Sequence, residues 1–253
     1  MLAEERRSRI ARIINERGSA GLAELSELLD ASESTLRRDI QALDAAGIGR
    51  RVHGGATAAG APLVTSDVLS SERSGINARE KVLIGAYAAG LIQPDDFVYI
   101  DAGTTTAQLV ESLSERRATY MTNSLAHAAR LLARGMRTFV LGGEAKASTE
   151  ALVGETAVAE LSRYHFTKGF FGTNGATVEA GLTTPDPAEA AVKRAALAQC
   201  RQAYVLCDSS KLGLTSLVTF AGIADAALVC DSIPDEFRSK LDAAGVQMTE
   251  VDA

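Results

Sequence analysis

The sequence contains no tryptophan, and its seven phenylalanines and five tyrosines are few for 253 residues, so a core must be built mainly from aliphatic side chains. No apolar run approaches the ~18 residues a membrane-spanning helix requires. The opening Met1-Leu2-Ala3-Glu4-Glu5-Arg6-Arg7 lacks the apolar stretch and small-residue cleavage site of a secretory leader, and a cytoplasmic location is expected. Three cysteines, Cys200, Cys207 and Cys230, form no C-x-x-C pair and are odd in number. That argues against a disulfide framework or a thiolate metal centre and for buried, reduced thiols. His127 and His165 have no Ser or Cys partner by spacing and no metal-ligand spacing. No G-x-G-x-x-G joins a strand to a helix, and the Gly103 loop has one glycine, which removes the dinucleotide-binding fingerprint. No metal and no cofactor are expected.

Lysine is absent from residues 1–58, where nine arginines balance nine acids, so the net charge of -6 resides in the remainder. The arginines are grouped as Arg6-Arg7-Arg9-Arg12, Arg37-Arg38 and Arg50-Arg51. Arginine is the side chain suited to bidentate contact with phosphate and guanine edges. Residues 4–17 read as a helix, with Ile10, Ile13 and Ile14 on one face and Gly18 as the stop. Residues 22–29 read as a short helix with Leu22, Leu25, Leu28 and Leu29 inward. After a turn at Asp30-Ala31, Ser32 is placed to cap a helix over 33–46, striped by Leu36, Ile40 and Leu43 and ended by Gly47. That helix would present Ser34, Thr35, Arg37, Arg38 and Gln41, the inventory of a recognition helix in a major groove. A ribbon over Ile48 to Ala56 would add Arg50, Arg51 and His53 as a basic wing. Arg37 and Arg38 could instead be a solvated face paired with Glu33 and Asp39. Helix spacing, turn and ribbon together favour DNA.

Residues 58–75 read as an Ala-, Gly- and Ser-rich linker between a domain over 1–57 and one over 76–253. From Ile76 onward a helix is followed by alternating strands and helices, which implies a mostly parallel sheet covered on both faces. Ligands in such sheets sit beyond the carboxyl ends of the strands. Asp101-Ala102-Gly103-Thr104-Thr105-Thr106 leaves a strand and opens a helix, an anion site or an ordinary cap rich in hydroxyls. Asn123 and Ser124 follow the next strand, as ligand contacts or as a helix cap. Gly143 follows the third strand, at a ligand or in a plain turn. Asn174 follows the fourth, where Asn174-Gly175 is also a hairpin signature. Asp208 and Lys211 follow the fifth, as acceptor for hydroxyls and counter-charge for phosphate, or as a salt bridge. Arg73 and Lys81 lie upstream, over the pocket or on the surface. These groups suit a small phosphorylated sugar or polyol.

Ser34-Thr35-Leu36-Arg37-Arg38-Asp39-Ile40 with Arg51-Val52-His53-Gly54-Gly55-Ala56 strongly resembles the N-terminal signature of the DeoR family of bacterial regulators. Asp101-Ala102-Gly103-Thr104-Thr105, Thr122-Asn123-Ser124, Gly172-Thr173-Asn174-Gly175-Ala176 and Asp208-Ser209-Ser210-Lys211 are similar to that family's sensor domain. The resemblance implies a small winged helix-turn-helix joined to a mostly parallel α/β domain similar to ribose-5-phosphate isomerase. It implies a repressor of sugar or polyol catabolism genes, released from double-stranded operator DNA by a phosphorylated intermediate. It also implies assembly as a dimer or tetramer and a role in effector response for Asp208, Lys211, Arg73 and Lys81. Arg73 stands where the family often has Lys. A sugar-phosphate isomerase is the enzymatic alternative, with Asp186, Glu189 and Asp208 as the tempting carboxylates. Nothing marks any of them as a general base, and an enzyme has no use for a winged helix.

Overall fold

The computed structural model describes residues 3–17, 19–29, 31–52, 55–58, 63–64 and 70–251. The chain divides into two compact units, Met1–Pro62 and Leu63–Ala253. In the first, α1 (Ala3–Arg17), β1 (Ser19–Gly21), α2 (Leu22–Leu29), α3 (Glu33–Ala45), β2 (Gly49–Val52) and β3 (Gly55–Ala58) follow in order. Ile10, Leu25, Leu29, Leu36, Ile40 and Leu43 form its core. Leu28, expected inward, is exposed, because Leu25 and Leu29 one turn apart already fill the buried stripe of α2. The Ser32 hydroxyl accepts from Thr35 N at 3.4 Å and starts α3. Gly47 ends it in the left-handed region, φ 68°, which lets Ile48 N return to Leu43 O at 2.9 Å. The wing is three-stranded, in the order β1-β3-β2 and antiparallel throughout. The third strand, β1, is too short to show a period in the sequence.

The second unit opens with β4 (Leu63–Val64), α4 (Ser70–Gly75) and α5 (Ala78–Gly90). Regular structure at β4 and α4 therefore lies inside the stretch expected to be linker. Next come β5 (Phe97–Ile100), α6 (Thr104–Ser112), β6 (Thr119–Thr122), α7 (Leu125–Ala133) and β7 (Arg137–Val140). A hairpin of β8 (Glu144–Ala145) and β9 (Leu152–Val153) leads to α8 (Glu155–Leu161) and β10 (Phe166–Gly172). Then follow β11 (Gly175–Thr177), β12 (Gly181–Thr184), α9 (Pro187–Leu197), β13 (Cys200–Leu206), β14 (Thr215–Ser216) and β15 (Val218–Ala221). The chain finishes with β16 (Ala227–Cys230), α10 (Asp235–Ala243) and β17 (Met248–Glu250).

Seven strands make a parallel sheet in the order β17-β16-β13-β10-β5-β6-β7. The two-residue period of the strands sorts the core into two layers. Val98, Ile100, Tyr120, Phe170, Leu206 and Val229 pack in one layer with α5 and α6 residues such as Ile84 and Leu109. Tyr99, Met121, Phe171, Val205 and Leu228 pack in the other with α8 and α9 residues such as Leu161 and Val192. A separate antiparallel sheet, β11-β12-β15, was not expected from the alternating pattern. The large sheet grows outward from β5 to β7, then restarts on the other side of β5 with β10. That reversal opens a crevice at the carboxyl ends of β5 and β10.

Candidate functional site

Asp101 leaves β5 at this crevice but turns inward. It is 1% exposed, pairs with Lys193 Nζ, and accepts from Gly172 N at 3.1 Å. Lys193 also donates to Gly172 O at 3.0 Å, so the pair ties β5, β10 and α9 together. Burial raises the proton affinity of Asp101, and the Lys193 charge opposes that rise. Asn123 Oδ1 accepts from Ala102 N at 2.9 Å, and its Nδ2 donates to Leu152 O at 3.4 Å. Thr106 Oγ1 donates to Asp101 O at 2.7 Å. Ser124 Oγ accepts from His127 N at 3.2 Å and caps α7. Gly143 has φ 143°, and a Cβ there would stand 2.5 Å from Val153 O. These five residues, expected as ligand contacts, brace the strand ends and do not line the crevice pocket, although Ser124 lines the adjoining cleft that shares Gly103 and Thr104 with it.

The other eight expected residues do line it: Arg73, Lys81, Gly103, Thr104, Thr105, Asn174, Asp208 and Lys211. Gly103 is the N-cap of α6 and contributes no side-chain cap, so the first N–H groups of the helix are available to an anion. Lys81 is 4% exposed and donates to Arg73 O at 2.6 Å. Burial lowers its proton affinity, and Lys211 and Arg73 lower it further, against the pull of Asp208. Asp208, 1% exposed, accepts from Asn77 Nδ2 at 2.7 Å and from Ser210 Oγ. The turn that carries Lys211 is anchored by Asp231, which accepts from Ser209 N at 2.6 Å and Ser209 Oγ at 2.9 Å. Asn174 accepts from Thr184 Oγ1 at 3.3 Å.

Sequence reasoning did not count Glu189 and Lys193 among the pocket residues. Glu189 accepts from Lys146 Nζ at 2.9 Å and Thr149 Oγ1 at 2.7 Å. Its partners lie forty and more residues away, beyond any local pattern. The pocket gathers four cations, Arg73, Lys81, Lys193 and Lys211, against a helix N-terminus; Asp101 offsets Lys193, and an anion bound there would relieve the repulsion among the cations. Its carboxylates are already engaged, Asp208 by Asn77 and Ser210 and Glu189 by Lys146 and Thr149. Neither is placed as a free base.

In the first unit, Ser34, Arg37, Arg38 and Gln41 are exposed on α3, and Thr35 is half-buried with its hydroxyl 2.9 Å from Ser32 Oγ. Arg37 pairs with Glu33 at 3.3 Å, both well exposed. Asp39, the other acid considered as a partner for these arginines, is 2% exposed and is bound by Arg6 Nε and Arg7 Nε. Two members of the first arginine group thus fasten α1 to α3, and Arg38 forms no ion pair among the described residues. Arg50 and Arg51 lie on β2, in register with Thr57 and Ala56 of β3. His53 lies outside the described residues. Among the described residues, no cluster of His, Cys, Asp and Glu could hold a metal ion, and no helix is long and apolar enough to cross a membrane.

A family model described as the DeoR C terminal sensor domain matches residues 76–232, and one described as a DeoR-like helix-turn-helix domain matches residues 6–60. An HTH-type transcriptional regulator of Bacillus subtilis, FruR, described as uncharacterized, is 39% identical over 90% of this chain and 91% of its own length. The lactose phosphotransferase system repressor of Streptococcus mutans is 31% identical over 95% of this chain and 97% of its own. Among solved structures, the full-length sorbitol operon regulator SorC of Klebsiella pneumoniae aligns at TM-score 0.40 and 12% identity, covering 85% of this chain and 96% of that one. Ribose 5-phosphate isomerase A of Methanocaldococcus jannaschii aligns at 0.41 and 14%, covering 54% and 55%.

Proposed function

This chain belongs to the DeoR family of transcriptional regulators, and from that premise we propose that it is a repressor of sugar or polyol catabolism genes, released from operator DNA by a phosphorylated sugar intermediate. The observation that carries the effector half is the convergence of Arg73, Lys81 and Lys211 on the uncapped start of α6. Phosphate would sit against the free N–H groups, with Lys81 and Lys211 as counter-charges, while Asp208 and Asn174 accept from or donate to the hydroxyls. The DNA half is supported by the exposed Ser34, Arg37, Arg38 and Gln41 of α3, with the β2-β3 ribbon beside it as the wing. The two sequence relatives named above are described as a transcriptional regulator and a repressor, and both carboxylates that line the pocket, Asp208 and Glu189, are already engaged.

Release follows from linkage: the effector weakens DNA binding only if it prefers the conformation that holds DNA poorly. A coupling of about 1–3 kcal/mol is typical. We take the active form to be a homodimer or tetramer whose two recognition helices match paired half-sites, and the bound phosphate to alter that spacing. Thermal-shift measurements with phosphorylated sugars and their unphosphorylated counterparts test the effector half. Stabilisation by the phosphorylated member of a pair alone is expected, and equal responses within each pair refute it.

A further inference from the structure

The two edges of the seven-stranded sheet are finished differently. At β17 the side chains are half-buried, and Glu250 puts a carboxylate on the strand, held by Arg238 and by Ile233 N at 3.2 Å. Charge of this kind blunts an edge. β7, at the other edge, has no such guard. Phe139 and Val140 are each 37% exposed, and α7, which packs on β7, exposes Leu132 at 57%. Leu141 N donates to Thr122 O at 3.1 Å, so the odd-numbered residues of this stretch turn their main-chain groups toward β6. Along a strand those groups alternate in direction. Thr138 and Val140 therefore turn their N–H and C=O outward, where no strand among the described residues pairs with them. Unpaired groups beside exposed apolar side chains are a template for another strand. The ends of β7 carry opposite charge. Arg137 is exposed at its start, with the guanidinium 5.6 Å from the centre of the Phe139 ring, and Glu144 is exposed just beyond its end. A copy of β7 running antiparallel sets each basic end against the other's acidic end, whereas a parallel copy sets like against like.

We propose that β7 is the strand through which two copies of this chain join, pairing antiparallel across a two-fold axis at Phe139 so that one sheet runs through both copies. This deepens the homo-oligomer proposed above and rests on it. Thr138 of each copy faces Val140 of the other, the register that uses every outward group, and each facing pair exchanges two main-chain hydrogen bonds. Phe139 meets its own copy at the axis in a non-hydrogen-bonded position, where Cα atoms stand about 4.5 Å apart. Covering Phe139, Val140 and Leu132 supplies the apolar driving force. A contact of this kind uses the same patch on both copies and closes at two.

Sedimentation velocity compares the wild type with Val140→Pro, which removes the outward N–H and none that β6 uses. The wild type is expected to sediment as a dimer or tetramer. In the Pro variant the dissociation constant should rise about tenfold or more, two hydrogen bonds' worth, with circular dichroism reporting that it is folded. Phe139→Cys and Thr138→Cys are treated with oxidised glutathione and run beside the wild type on non-reducing gels. Thiols at position 139 fall within disulfide reach across the axis, and those at position 138, two positions out of register with each other, do not. Rapid capture of a covalent dimer is expected from Phe139→Cys, and only background from Thr138→Cys and the wild type. Either the Pro or the Phe139→Cys variant serves alone if the other folds poorly. Background capture of Phe139→Cys overturns the proposal, as does a folded Pro variant that assembles as tightly as wild type, or equal capture of both cysteine variants. Each of these leaves the homo-oligomer standing on another surface. A wild type that is monomeric at every concentration overturns the homo-oligomer reading itself.

Discussion

Replacing Lys81 by Met separates binding from folding. Lys81 is buried between Lys211, Arg73 and Asp208, and its proton affinity is lowered, chiefly by burial. A lysine whose folded pKa lies below the unfolded 10.5 destabilises the fold while both states are protonated. That penalty fades as pH rises through the folded pKa toward 10.5. At pH 7 the Met variant therefore loses the bond to Arg73 O but sheds the desolvation cost, and its ligand-free stability should stay within about 1 kcal/mol of wild type. It also lacks the wild type's gain in stability as pH rises below 10.5. Ligand binding should respond differently. A charge-assisted hydrogen bond to phosphate contributes about 1.5–3 kcal/mol, or roughly ten- to a hundredfold in affinity. With sugar phosphate at about a hundred times the wild-type Kd, the wild type gains about 2.7 kcal/mol, and a variant weakened a hundredfold gains only about 0.4. At roughly 2–4 °C per kcal/mol for a domain of this size, the shift drops from roughly 5–11 °C to roughly 1–2 °C. Differential scanning fluorimetry reads both quantities. A Met variant with a markedly lower ligand-free Tm and an undiminished ligand shift would make Lys81 structural and refute the reasoning.

Arg38→Ala should weaken operator binding and reduce the salt dependence by about one unit of slope if its contact is a phosphate, with the sugar-phosphate thermal shift retained; filter binding across a salt series checks this. Asp39→Ala leaves Arg6 and Arg7 without their shared acceptor and should destabilise the N-terminal unit by about 2–4 kcal/mol. It should be read as lost DNA binding with the ligand shift of the second unit preserved. Gly143→Ala forces a Cβ against Val153 O and should lower stability by more than about 1 kcal/mol in urea denaturation. Ligand affinity should hold at temperatures where the variant is folded. Because His127 is held neutral down to about pH 4, the folded state binds fewer protons than the unfolded one between there and 6.5, and stability falls as pH falls through that window. Up to about 3 kcal/mol of that loss should be absent from His127→Phe in denaturant melts at pH 4 and pH 7.

Much of this architecture follows from local signals. Ser32 is a cap because its hydroxyl serves a backbone N–H three residues on, and Phe97–Ile100 is a strand because an unbroken apolar run suits a sheet buried on both faces. Short elements escaped for the same reason. Ser19–Gly21 and Gly175–Thr177 are three residues each, too few for periodicity to register. The helix Ser70–Gly75 hides in polar composition that elsewhere marks a linker. At the site, strand ends followed by hydroxyls, amides and Asp208-Ser209-Ser210-Lys211 were visible. The sequence could not tell lining from bracing, since that depends on partners far along the chain. Asp101 is spoken for by Lys193, ninety-two residues away, and Asn123 by the backbone of Ala102 and Leu152.

The most direct test is a fluorescence-anisotropy titration of the purified protein on a duplex it selects from a random pool, with and without sugar phosphates. Tight binding that weakens steeply with salt, and is relieved by a phosphorylated sugar but not by the same sugar lacking phosphate, is the predicted result. No selected duplex, or binding indifferent to every phosphorylated sugar, contradicts the account.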